Sequence, residues 1–327
     1  MTKISHTAKG IEKIEMPSPW PIGNVNVYLI RGERLTLVDC GMNEASAWHH
    51  FNEELRKLGL KFTDIEQIVL THHHCDHVGF LDFILREHPI PVYAHANCAP
   101  YLSQDQAFIA RGNAFFKQFY KEFGLPDRWI RMLADEKDWH EGLTNPVEFA
   151  SFLEEGMAVP GLPDWQVIET KGHAQSHISL YRTTDQVLIC GDHVIKHSPA
   201  GIFLEPPLVA GTERAKPLMQ YIENVAKCMD IPVSTALSGH GEPIEELKPH
   251  LEGTLRKIDR RTQKIKNMLL GDWKSGLAII QELYPDKYTL GLELFTSDLV
   301  SLLDVLMARG EVETDVRNGV IHYRAFR

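Results

Sequence analysis

Thr71-His72-His73-His74-Cys75-Asp76-His77-Val78-Gly79 (THHHCDHVG) is the stretch on which the reading of this chain turns. It follows Ile65-Glu66-Gln67-Ile68-Val69-Leu70, a mainly apolar run of the kind carried by a strand covered on both faces. Histidines two apart on an extended segment point to one side, so His72 and His74 share a face and His73 is expected to face away. A tight turn after them brings Asp76 and His77 round to a second, adjacent position. Zinc takes imidazole and carboxylate ligands at about 2.0–2.2 Å in a near-tetrahedral array. One short loop therefore offers four ligands, two to each of two ions. A chance cluster of surface histidines would not follow a buried strand.

Two ions need further ligands, and the chain offers them at strand ends. Gly172-His173 follows the strand pattern WQVIET (165–170), Gly191-Asp192 follows QVLIC (186–190), and Gly239-His240 follows TALS (235–238). Each candidate has a glycine directly before it, where a sharp turn or a close backbone approach is needed. Further strands are expected at 25–30, 35–39, 90–95 and 177–182, with helices at 44–58 and 215–229 and a Pro- and Gly-containing loop at 198–211. Between 99 and 156 the texture changes: Phe108, Phe115, Phe116, Phe119, Tyr120, Phe123, Trp129 and Trp139 recur at helical spacings. That segment reads as a helical insert. Its rings either line the mouth of the site as a lid or pack the insert onto its own domain or a dimer partner, and packing is the commoner use of aromatics at this spacing.

The last 75 or so residues read as helices at 254–269, 275–284 and 296–310. The third has a Thr/Ser start and a Gly stop. A hairpin over 311–326, turned by Asn318-Gly319, follows. Helix, helix, hairpin is the winged-helix pattern, and it places a domain boundary near 250. Arg256, Lys257, Arg260, Arg261, Lys264 and Lys266 form the concentrated basic patch of the chain.

Composition narrows the class. The chain has 327 residues, 43% of them hydrophobic, and 34 basic against 44 acidic side chains, net −10. These values fit an ordinary soluble globular protein of about two domains. They argue against broad non-specific nucleic-acid binding. No apolar run is long enough for a membrane span, and residues 1–17 lack the apolar core of a secretory signal. Cys40, Cys75, Cys98, Cys190 and Cys228 are scattered with no C-x-x-C pair, as expected of free thiols in a reducing compartment. The expectation is a cytoplasmic protein without a membrane partner.

The set THHHCDH, GHAQSH, GDH and SGHG, with VDCG at 38–41, resembles the metallo-β-lactamase fold superfamily in its glyoxalase II-like branch of metal-dependent hydrolases. The resemblance covers roughly residues 20–245. The C-terminal part is similar to the winged-helix extension of some members, the β-lactamase-like protein 2 group among them. It implies an α/β fold, an αββα sandwich with metals at one edge: a catalytic domain over 1–250 containing the 99–156 insert, then a winged-helix-like domain over 251–327. It implies that His72, His74 and His173 hold one ion, that Asp76, His77 and His240 hold a second, and that Asp192 bridges them. Two divalent ions about 3.5–4 Å apart lower the pKa of a shared water toward neutrality. The resulting hydroxide would attack an electrophilic carbon or phosphorus, with Asp76 orienting it. Asp39 is expected behind the ligands, accepting a hydrogen bond from one of them or from nearby backbone. His193, next to the bridging position, is a candidate for lining the pocket or donating to substrate. His177 is expected to be packed, while His49, His50 and Cys75 fit no ligand position.

The expected activity is a hydrolase using two divalent ions, zinc first and manganese or iron as alternatives, on a small ester, thioester, lactone or related substrate. Two other classes stand beside it. One is a mononuclear iron enzyme similar to the persulfide dioxygenases. The other is a metal-dependent ribonuclease or phosphodiesterase that holds RNA on the winged helix. Residues 251–327 carry twelve basic and eleven acidic side chains and residues 1–250 carry 22 and 33. A basic helix face meeting an acidic main domain therefore explains the patch as well as RNA does. A flavodiiron protein is disfavoured because that branch has Glu at the position of His74. The basic residues with which glyoxalase II grips glutathione do not align onto this tail. A homodimer is the default assembly.

Overall fold

The structure is a computed structural model that describes residues 6–135, 137, 139 and 143–326. Residues 1–5, on which the reading of the N-terminus partly rests, and insert residues 136, 138 and 140–142 lie outside the described residues.

Alternation along the strands builds the layers. In Val25–Arg31, Tyr28 and Ile30 turn toward the second sheet, where Trp165, Val167, Leu180 and Ile189 meet them, while Val27 and Leu29 turn the other way. Phe51 and Leu55 of the helix Ala45–Lys57 cover that outer face. Tyr221 and Val225 of the helix Pro217–Met229 lie in the same outer core with Leu188 and Ala236 of the second sheet. The result is the expected four-layer sandwich of helix, sheet, sheet and helix.

The first sheet has seven strands in chain order, from His6–Ala8 to Ser151–Phe152. Its first three pairings are antiparallel, and Leu35–Val38, Gln67–Val69, Val92–Ala94 and Ser151–Phe152 then pair in parallel. In the second sheet Val187–Gly191 pairs in parallel with Thr235–Ser238, while Ile178–Arg182 lies antiparallel between Val187–Gly191 and Leu162–Glu169. Strands 162–169, 187–191 and 235–238 consequently run the same way and open at one edge. A bond from the Ile178 N–H to the Thr71 carbonyl (2.8 Å) and a bridge between Val25 and His240 tie the sheets together there.

Several elements depart from expectation. His6–Ala8 and Ile11–Met16 form strands that the sequence hides, because I-E-K-I-E-M has no clean two-residue period. Ser151–Phe152, near the end of the insert, belong to the first sheet. The helix expected at 254 begins at Leu247 and crosses residue 250. Pro249 lies in its first turn, where a missing N–H leaves no intrahelical bond unmade. The helix expected to start at Thr296 starts at Leu292. The Thr296 hydroxyl donates back to the Leu292 carbonyl instead of capping.

Asn318 and Gly319 both have positive φ (53° and 79°), as the two-residue turn between Val312–Arg317 and Val320–Ala325 requires. In the insert, Phe108, Phe116, Tyr120, Phe123 and Trp139 are buried. Trp139 lies over Gly112, and Phe123 lies over Gly276 of the C-terminal region. These rings pack the insert. Among the described residues, no helix is long and apolar enough to cross a membrane.

Candidate metal centre

Five loops leave the open edge, and each aims its side chains by local bonds. Asp39 ends Leu35–Val38 with φ of 60°, a left-handed conformation rare for a non-glycine residue and often found at functional sites. One of its carboxylate oxygens accepts the Thr71 N–H (2.8 Å). The other accepts the Thr71 hydroxyl (2.7 Å) and the His77 Nδ1–H (2.8 Å). With its proton committed to Asp39, the Thr71 oxygen accepts from His72 Nδ1 (3.0 Å). His173 Nδ1 donates to the Gly201 carbonyl (2.7 Å) and His240 Nδ1 to the Asn24 carbonyl (2.9 Å). Each of these four imidazoles therefore turns its Nε2 to the centre. His74 turns its Nδ1 instead, 2.9 Å from His173 Nε2.

The glycines before the ligands have a steric cause. A Cβ on Gly239 would run into the Asp192 carboxylate, and one on Gly172, at φ 139°, would run into the backbone of Tyr221. The turn carrying His240 is held from the first sheet. The Asn26 amide donates to the Ser238 and Gly241 carbonyls (2.9 and 2.8 Å), and the Tyr28 hydroxyl donates to the Ser238 carbonyl (2.6 Å). The Asp192 N–H donates to His177 Nε2 (3.0 Å), so His177 carries its proton on Nδ1, 2.8 Å from the Thr170 hydroxyl.

Three groups of ligand atoms result: His72, His74 and His173; His72, His77 and Asp192; and Asp76, His77 and His240, with the atoms of each group within 4.8 Å of one another. Across the cluster, Asp192 lies 3.4 Å from His77, 3.3 Å from His240 and 3.7 Å from His173, and Asp76 lies 3.3 Å from His240. These separations are long for charge-assisted hydrogen bonds. They are close to the edge of a tetrahedron, about 3.3 Å, around an ion with bonds near 2.0 Å. His72 Nε2, His77 Nε2, His240 Nε2 and Asp192 Oδ1 are buried with no hydrogen-bond partner. Buried polar atoms left unpaired are costly. Four of them within the adjoining ligand groups fit a bound species that accepts lone pairs, and the donor set of imidazole and carboxylate suits divalent transition metals.

The electrostatics divide the cluster. Burial, and then the neighbouring imidazoles, hold His72 and His74 below the ordinary histidine range. At His77 burial opposes protonation, but Asp76, Asp192 and Asp39 outweigh it and raise the pKa. His240 is raised to about 9, its burial outweighed by Asp192 and Asp76. Asp192 is held low by His77 and His240 against its own burial.

All seven expected ligands, His72, His74, Asp76, His77, His173, Asp192 and His240, meet at this edge, and Asp39 lies behind them. His73 turns away as expected, stacked on Tyr101 at 3.7 Å and bonded to the Ser176 hydroxyl. His177 is packed. His193 departs from expectation: it is fully buried against Tyr221 and His177, with neither ring nitrogen bonded, and presents no face to a substrate. The chain bends sharply between Asp192 and His193, where the His193 N–H returns to the Cys190 carbonyl, so the two side chains diverge. Thr71, Asn26, Tyr28 and the Gly201 carbonyl were not anticipated. Thr71 alone left a signal, a hydroxyl directly before the ligand run.

A sandwich with strand-end His and Asp clusters at one edge defines a class. The chain belongs to the metallo-beta-lactamase superfamily, whose sequence pattern matches residues 20–240. Probable metallo-hydrolase YqjP of Bacillus subtilis is 33% identical over 327 residues, covering 98% of this chain and 99% of that protein. A beta-lactamase-like protein 2 homolog of Caenorhabditis elegans is 24% identical, covering 77% of this chain and 68% of that protein. A metallo-beta-lactamase family protein from Thermus thermophilus has the same fold, with a TM-score of 0.80 at 22% identity over 98% of this chain and 99% of its own.

Proposed function

We propose that this chain is a dinuclear metal-dependent hydrolase acting on a small ester, thioester, lactone or related substrate. The observation that carries the reading is the convergence of three unpaired imidazole nitrogens and one unpaired carboxylate oxygen in a buried cluster. We assign His72, His74 and His173 to one ion, Asp76, His77 and His240 to the other, and Asp192 to both. Two divalent cations held there would supply a water of lowered pKa and a Lewis acid for a developing oxyanion. Asp76 orients the attacking water by accepting a hydrogen bond from it. Asp39 keeps His72 and His77 in the tautomer that frees Nε2, directly at His77 and through Thr71 at His72. The nitrogen-rich donor set favours zinc. The name of the B. subtilis relative supports the reaction class. We read the protein as cytoplasmic, in keeping with five cysteines of which none forms a disulfide.

We read residues 251–327 as winged-helix-like and assign them no nucleic acid. The helix before the hairpin, Leu292–Ala308, is buried on most of its surface. A helix so covered has no face for a nucleic-acid groove. Elemental analysis of protein expressed without added metal tests the reading. Two equivalents of zinc or manganese per chain are expected. Close to one equivalent of iron moves the assignment to a persulfide dioxygenase-like enzyme, and no metal after reconstitution overturns the ligand assignment.

A further inference from the structure

Phe203 lies beside the half of the cluster formed by His74 and His173. Its ring meets the His74 imidazole edge to face at 5.0 Å, interplanar angle 75°, and the His173 imidazole at 5.3 Å and 88°. Phe203 is half-buried. The loop carrying it is fixed at four points. The Gly201 carbonyl accepts the His173 Nδ1–H, and a Cβ at Gly201 would come within 2.8 Å of the Phe203 ring, which only glycine leaves room for. The buried Glu205 carboxylate accepts the Gln175 N–H (2.7 Å) and the Tyr101 hydroxyl (2.8 Å). Arg214 closes the segment with a two-pronged bond to the buried Asp304 (2.7 and 2.8 Å).

A ring held this firmly is preorganised, so a ligand that packs on it spends little free energy ordering it. Ile202 beside it is also half-buried and apolar. The nearby polar groups already have partners: Glu205 accepts from the Gln175 N–H and Tyr101, the Gln175 amide donates to Gln220, and His73 bonds Ser176, which leaves the aromatic ring as a recognition surface. We propose that Phe203 is the specificity-determining residue of this site and that it seats an apolar acyl group beside the His74–His173 half. This inference rests on the hydrolase reading above and narrows its substrate class to esters or thioesters of apolar acyl groups.

The test uses the full chain loaded with zinc and the straight-chain carboxylates from acetate to octanoate, which represent the acyl product. Binding is read by calorimetry, and metal content is measured on the same samples. In the parent protein affinity is expected to rise with chain length. Phe203→Ala is expected to weaken octanoate about tenfold, with acetate affinity and metal stoichiometry unchanged. Phe203→Leu, which keeps an apolar side chain, restores most of the loss and guards against a loop that has merely collapsed. Equal affinity for acetate and octanoate in the parent, no binding of either, or an unaltered chain-length dependence in Phe203→Ala each overturns the proposal. Its failure with two metals still bound leaves the hydrolase reading standing. Loss of the metals themselves from the parent protein overturns that reading instead.

Discussion

The ligand edge and the C-terminal helices treat buried polar groups in opposite ways. At the edge, His72, His77, His240 and Asp192 each leave a buried atom unpaired. In residues 247–326 no buried side-chain nitrogen or oxygen is left so among the described residues. Thr296 and Ser301 turn their hydroxyls back to the helix carbonyls four residues earlier, and Asp304 is matched by Arg214. Folding alone does not favour an unpaired buried group, so the edge is shaped for something it binds and the helices for stability. The unpartnered atoms of Arg111 and His193 lie outside the three ligand groups.

Substitutions on the two sides should therefore separate function from stability. Asp192→Ala is expected to have the largest effect: loss of at least one metal and a fall in activity of more than about 100-fold, beyond the cost of a lost outer hydrogen bond. Retention of two tightly bound metals in that variant, by elemental analysis after dialysis, refutes the bridging assignment. Asp304→Ala leaves Arg214 without its carboxylate and is expected to lower unfolding stability by about 3 kcal/mol. Its metal stoichiometry should stay at the parent value. A urea midpoint unchanged from the parent would show that the buried pair does not anchor the 198–216 loop.

A smaller effect separates the two halves of the ligand edge itself. In protein stripped of metal, His240 is raised from 6.5 to about 9, and His77 is raised as well. They contribute stability that is present below pH 6.5 and lost as the pH rises through about 9. His72, His74 and His173 are lowered, and their contribution runs the other way: present above 6.5 and lost as the pH falls. Zinc binding at pH 7 should then displace roughly one to two protons, all from the carboxylate-rich half. Calorimetry in buffers of different ionisation enthalpy measures the number, which should shrink as the pH is raised through about 9. Binding with no proton exchange at pH 7 removes the electrostatic difference between the halves.

Most of the cluster was legible in the sequence because His72, His173, Asp192 and His240 stand just past strand ends, which converge once the sheets stack, with Asp76 and His77 on the short helix Cys75–Val78 that follows. H-x-H-x-D-H, Gly172-His173, Gly191-Asp192 and Gly239-His240 are local patterns. What holds them is less visible. The carbonyls of Gly201 and Asn24 orient His173 and His240, and a backbone carbonyl has no side-chain signature. Asn26 and Tyr28 read as ordinary strand residues in VNVYLI, although they fix the Ser238–Gly241 turn from the other sheet. His193 shows the opposite error, since adjacency to Asp192 in sequence said nothing of the turn that buries it. The helix starts at Leu247 and Leu292 lie ahead of the expected ones because Pro249, inside the first turn, and Thr296, one turn further in, are residue types often read as boundaries.

The smallest effect is expected on the basic face of the helix Leu247–Met268, and it decides what that face is for. Arg261 is already bonded to Asp298 and Lys266 to Glu311, so part of the charge serves the packing of the C-terminal helices. Arg260 and Lys264 remain on the rim of a shallow groove of about 600 Å³ with Gln263, Asn267, Met268 and Glu282. Solvated charges of this kind contribute little to stability, and nothing in the groove reaches the ligand edge. Replacing both by glutamine should shift stability by less than about 0.5 kcal/mol and leave activity unchanged. If the same double variant instead lost affinity for single-stranded RNA, with a shallower salt dependence than the parent, the face would be a phosphate-binding surface. The C-terminal region would then have to be moved from architecture to substrate binding, in spite of its buried third helix.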